Sequence, residues 1–118
     1  MGQEYPVEEN EQVRAYMRHK ILIPIAENDV APRFDLAAEI LIAEVEDDCI
    51  VSKRTIVMQH PSAEDLCAMI LRENVRVLIC NGIEEEYFQY LHWKNVRVVD
   101  SVMDTYAQAL DFYLQGKI

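Results

Sequence analysis

Residues 20–35 constrain the fold of this chain more than any other stretch. Lys20-Ile21-Leu22-Ile23-Pro24-Ile25 is almost wholly apolar and rich in Ile, the pattern of a short strand buried on both faces. Pro24 has no N–H to donate, which places it near the strand's end. Asn28 and Asp29 follow as turn formers. Arg33, Phe34 and Asp35 then set a cation, an aromatic ring and an anion side by side in a loop. A buried strand that delivers such a loop to the surface is a common way to build a binding site.

The rest of the chain supplies partners for that strand. Ala38 to Val45 and Ile50 to Met58 read as two strands joined across Glu46-Asp47-Asp48-Cys49 as a hairpin. Ser52, Lys53, Arg54 and Thr55 make the second of them the most polar strand, which suits a sheet edge. Ser62-x-x-Asp65 resembles a capping box. Ala63, Leu66, Cys67, Ile70 and Leu71 then form one helical stripe that ends near Asn74. Val75 to Cys80 is a second apolar run, typical of a buried parallel strand, and Asn81-Gly82 ends it. Ile83, Tyr87 and Leu91 mark a second helix running to about Trp93, and Val96 to Val99 forms a last strand. Ser101-x-x-Asp104 offers another cap. Tyr106, Leu110, Tyr113 and Leu114 line the final helix, with Gly116 as its stop. Residues 1–19 read as an N-terminal extension with a helix over Glu8 to His19, where Val13, Tyr16 and Met17 fall at helical spacing. Residues 20–118 read as a single domain.

Composition narrows the function classes. Eleven Lys and Arg stand against 21 Asp and Glu, a formal net charge of −10. Such a surface repels nucleic-acid phosphates and anionic membranes. No apolar run approaches the roughly 20 residues that span a bilayer, and no secretory pattern opens the chain. The cytoplasm is the expected compartment. Three cysteines without a C-x-x-C pair form neither a disulfide framework nor a zinc ribbon.

The strand ending in Ile-Pro, the segment centred on Phe34 and the stretch Val75 to Gly82 resemble the dinitrogenase iron–molybdenum cofactor biosynthesis family, over roughly the last hundred residues. The resemblance implies an α/β fold of ribonuclease H-like architecture. Its mixed five-stranded sheet has the order 3-2-1-4-5 and flanking helices, to which this chain adds the N-terminal helix. A crevice is expected beyond the carboxyl ends of strands 1 and 4, where Glu27 to Asp35 and Cys80 to Gly82 meet. The resemblance further implies a non-enzymatic protein that holds or carries an iron–molybdenum or related metal–sulfur cluster, or its precursor, and exchanges it with a donor or acceptor protein. Many relatives carry His-Phe-Gly where this chain has Arg33, Phe34 and Asp35. Many carry Gly-Gly-Ile-Gly where it has Asn81, Gly82, Ile83 and Glu84.

Each candidate residue also has a plain structural reading. Arg33 offers fixed donors and a permanent charge for an anionic cluster, and Phe34 can shield one face of a bound group. Alternatively Arg33 pairs with Asp35 and Phe34 is core. Asn81 and Gly82 let backbone approach a ligand, whereas Glu84, Glu85 and Glu86 stabilise a helix start and compete with anions. Cys80 is a candidate soft-metal ligand or a small buried hydrophobe. Cys67 lies on a core stripe and Cys49 in an exposed turn. His60 is a candidate metal ligand or an ordinary loop histidine. Two other function classes fit the same residues. One is an acidic protein-interaction module using the N-terminal helix and Tyr87, Tyr90 and Trp93. The other is a metal-dependent hydrolase with Glu27 and Asp29 near strand 1, although no G-x-S-x-G, P-loop or H-E-x-x-H motif supports catalysis.

Overall fold

The structure is a computed structural model and describes residues 18–118. The helix expected over Glu8 to His19 lies outside the described residues except for its last two. Arg18 and His19 belong to β1 (Arg18–Ala26), which begins earlier than the apolar run suggests. Around β1 stand β2 (Asp29–Val30), β3 (Glu39–Glu46), β4 (Cys49–Val57), β5 (Val77–Ile79) and β6 (Arg97–Val99). The sheet path is β4-β3-β1-β5-β6, and β2 pairs only with β1. Six strands therefore replace the expected five. β1 is antiparallel to β2 and β3, β3 to β4, while β1 with β5 and β5 with β6 are parallel.

Alternation along β1 explains why it sits centrally. Leu22 faces one side, packed with Phe34, Ile40, Ile42, Leu66, Ile70, Leu78 and Leu91. Ile21, Ile23 and Ile25 face the other, packed with Leu41, Ala43, Val45, Val77, Ile79 and Leu110. Helices α1 (Ala63–Arg72) and α2 (Glu85–Trp93) supply the first layer, and α3 (Tyr106–Leu114) the second. No polar or charged side chain is buried among the described residues. None of their helices is long and apolar enough to cross a membrane.

The helix ends follow local chemistry. Ser62 Oγ accepts from Asp65 N at 3.2 Å and caps α1. The cap of α3 is Thr105, whose Oγ1 accepts from Gln108 N at 3.1 Å; the expected Ser101 instead sits in the preceding loop at φ 63°. Asn74, Asn95 and Gly116 follow the three helices at φ 60°, 67° and 76°. In each case the next residue's N–H reaches back into the last turn: Val75 to Ile70, Val96 to Leu91 and Lys117 to Phe112. This left-handed closure satisfies carbonyls that would otherwise be orphaned, and Asn and Gly tolerate it best. The β3–β4 turn places Asp47 and Asp48 at φ 55° and 62°, the twist a two-residue hairpin needs.

Candidate functional site

Three segments gather at the carboxyl end of β1, β5 and β6. Pairing of β1 with β5 stops at Leu22 opposite Leu78, two residues before Pro24. Beyond that point the chain itself fills the space. Ala31 N donates to Pro24 O at 2.8 Å, and Arg33 forms a parallel bridge with Gly82. Gly82 N donates to Pro32 O at 2.9 Å, and Gly82 O accepts from Phe34 N at 2.8 Å. The expected crevice between the two strands is thus closed by residues 31–34. Gly82 does allow close backbone approach, but to Pro32 rather than to a ligand. The third segment joins through Ser101 N to Asn81 O and Val102 N to Cys80 O, at 2.9 and 3.1 Å.

Local backbone sorts the three candidate loop residues. Phe34 opens a 3-10 turn (Phe34–Leu36) and points inward at 2% exposure. Its ring centroid lies 6.4 Å from that of Tyr87. It is a core anchor for the loop, which corrects the expectation that it shields a bound group. Arg33 and Asp35 point outward as a bidentate pair, Nε to Oδ1 at 3.0 Å and Nη2 to Oδ2 at 2.7 Å. Asp35 raises the Arg33 pKa by hydrogen bonding and by its charge, with Glu84 adding a further field. The guanidinium therefore stays charged and fixed in direction.

Arg33 also stands at an open groove of about 380 Å³. Ile25, Ala26, Ala31, Pro32, Ala37 and Ala38 line it with apolar surface, and Leu36, Arg33 and Glu39 border it. Leu36 is 61% exposed. The groove was hidden from sequence reasoning, because small residues in a loop carry no periodic signal. Arg33 is the only Lys or Arg within residues 26–38, 80–86 and 99–105, which also hold Glu27, Asp29, Asp35, Glu84, Glu85, Glu86, Asp100 and Asp104. An anion drawn to this end of the sheet has one permanent cation to meet. Glu84 is the residue preceding α2, and Glu85 and Glu86 occupy its first turn, where the helix dipole favours acids.

The candidate metal ligands do not converge. Cys80 is fully buried. Burial, with the charge of Asp100 second, pushes its thiol up to about 12. Burial and the charge of Glu64 push Cys67 up to about 11. Near neutral pH both are thiols, and the thiolate is the form that ligates metal. His60 is exposed in the β4–α1 connection. Glu27 lies in the β1–β2 turn at φ 56°, and Asp29 in β2. Among the described residues, no three His, Cys, Asp or Glu side chains gather where they could hold a metal ion. One consequence is measurable by mass spectrometry after brief alkylation of the native protein at pH 8. Cys49 is labelled readily, while Cys67 and Cys80 stay unlabelled until denaturant is added. Fast modification of Cys80 would show that the strand end opens to solvent.

The fold is shared with solved structures. A protein of Methanocaldococcus jannaschii, provisionally described as a dinitrogenase, is 21% identical with a TM-score of 0.72, covering 85% of this chain and 91% of its own. The apo form of the orange protein from Desulfovibrio gigas is 17% identical with a TM-score of 0.69, at 84% and 89% coverage. A Thermotoga protein provisionally described as a NifB protein is 19% identical with a TM-score of 0.66, at 84% and 90% coverage. These identities speak for the fold alone. No curated protein matches the chain. Residues 17–116, from just before β1 to the glycine that closes α3, match the family model described as dinitrogenase iron-molybdenum cofactor. The chain belongs to that family.

Proposed function

We propose that this protein is a non-enzymatic accessory protein of the cytoplasm that holds or carries an iron–molybdenum or related metal–sulfur cluster, or a precursor of one, as cargo. The observation that carries this reading is the family match over residues 17–116. The placement of Arg33 at an apolar groove supports it. With Cys80 buried as a thiol, the chain is poorly suited to hold a cluster by covalent ligation at this end. Its means are a fixed guanidinium, apolar walls and backbone near Asn81 and Gly82. Hold of this kind is reversible, as cargo exchanged with a donor or acceptor protein requires.

Arg33 is the decisive residue. The protein as a whole repels anions, so retention depends on local charge. Charges beyond a Debye length of about 8 Å at physiological salt are largely screened. Under anaerobic reconstitution with thiomolybdate or an iron–molybdenum cluster, Arg33→Ala is expected to lower affinity by about tenfold or more, the order of one charge-assisted contact. Cys49→Ala, at the far hairpin, is expected to bind as the parent does. Metal bound per protein, with circular dichroism to check the fold, decides it. Equal retention by Arg33→Ala would remove this site.

A further inference from the structure

We propose that the groove between α1 and α2 is a docking surface for a basic, arginine-bearing helical segment of a partner protein. Glu64, Cys67 and Ala68 of α1 face Glu86, Tyr87 and Tyr90 of α2 across a space of about 410 Å³. The lining combines a small apolar floor, two phenol rings and two carboxylates, with no cation among these residues. Tyr87 donates from its hydroxyl to Glu64 Oε2 at 2.9 Å, and Ser62 Oγ lies 3.3 Å from Oε1. These bonds, with Tyr87 the largest cause, hold Glu64 below the usual carboxylate range. Its negative charge is thus fixed in place across the groove.

The aromatic side of this surface already engages a cation. Trp93 is 74% exposed and Tyr90 39%. Lys94 Nζ lies 5.7 Å from the Tyr90 ring centroid and 5.0 Å from that of Trp93. An incoming guanidinium gains more from such a surface than an ammonium does, because it stacks flat on rings and pairs bidentately with carboxylates. Tyr, Trp and Arg are also the side chains that dominate interface energetics. Aliphatic neighbours on the same helical face of the partner would cover Cys67 and Ala68. A second copy of this chain is a poor occupant, since each carries a net charge of −10. The groove uses none of the Arg33 surroundings and does not depend on the cluster reading.

Trp93 is the single tryptophan, so its fluorescence reports on this surface. The probe is a synthetic helical peptide with Arg and Leu on one face, titrated into the full chain. Saturable change in Trp93 emission is expected. Glu64→Gln with Glu86→Gln should weaken binding by about tenfold, in keeping with loss of paired charges at an interface. Asp47→Asn with Asp48→Asn removes the same charge at the β3–β4 turn and should change affinity by less than about twofold. Thermal unfolding verifies that both variants fold. Equal weakening by the hairpin variant overturns the proposal, because net charge then explains the binding. So does a scrambled peptide that binds as tightly, a titration that leaves Trp93 unmoved, or sedimentation showing that copies pair through the groove. Intact peptide binding by Arg33→Ala separates this surface from the cluster site.

Discussion

Gly82→Ala lowers the stability of this protein by about 2 kcal/mol, or roughly 10 °C in Tm. The cause is space. A Cβ built at position 82 would stand 2.9 Å from the carbonyl oxygen of Pro32. Real Cβ atoms essentially never come that close, and the obstacle is backbone rather than the yielding tip of a side chain. Relief requires residues 32–34 to move. Both hydrogen bonds that tie Gly82 to that segment, Gly82 N to Pro32 O and Phe34 N to Gly82 O, are then stretched. A larger residue such as Val costs more and displaces the Arg33 loop with it. Weakened cluster retention in Gly82→Val would thus arise from a moved loop, not from a blocked ligand. Urea unfolding of the apo protein separates the two causes, since blocking a ligand leaves apo stability unchanged. An apo Gly82→Ala protein as stable as the parent would mean that the 32–34 segment is not held against Gly82.

The same backbone pairing shows where sequence reasoning stops. The central strand, the hairpin and the helices leave periodic signals, and those signals locate Leu22, Ile42, Leu66 and Leu110 in the core. The three helix stops are legible too, because Asn74, Asn95 and Gly116 suit a left-handed residue. The filled crevice leaves no such trace. It depends on Arg33 pairing with Gly82, a contact between distant residues made by main-chain atoms that every sequence possesses. β2 escapes for a related reason, since two residues are too few to alternate. At the site, the charged loop was visible and its geometry was not. Arg33, Phe34 and Asp35 look equivalent in a row, yet the turn at Phe34–Leu36 buries one of them and turns the other two outward. Cys80 looks available at a strand end, but the loop that returns through Val102 covers it.

That division between neighbours makes the second large effect. Phe34→Ala is expected to destabilise the fold by about 3–5 kcal/mol, the usual cost of emptying a buried aromatic site. Phe34 is among the largest fully enclosed side chains, packed with Leu22, Ile40, Leu66 and Leu91 in the cluster beneath α1 and α2. Backbone hydrogen bonding to Gly82 limits how far the loop can collapse into the space left behind. Since small domains are stable by only about 5–15 kcal/mol in total, Tm should fall by roughly 12 °C or more. Arg33→Ala, one residue away, removes an exposed ion pair with Asp35 and should leave Tm almost where it was, because such pairs contribute little. Phe34→Leu should recover much of the loss by refilling the volume. The three proteins are compared by thermal unfolding and by metal retention. Arg33→Ala should be stable and fail to hold cargo. Phe34→Leu should be slightly less stable and hold it. If Phe34→Ala unfolds with the parent's Tm, the ring is not what seats the loop. The outward direction of Arg33 then has some other cause.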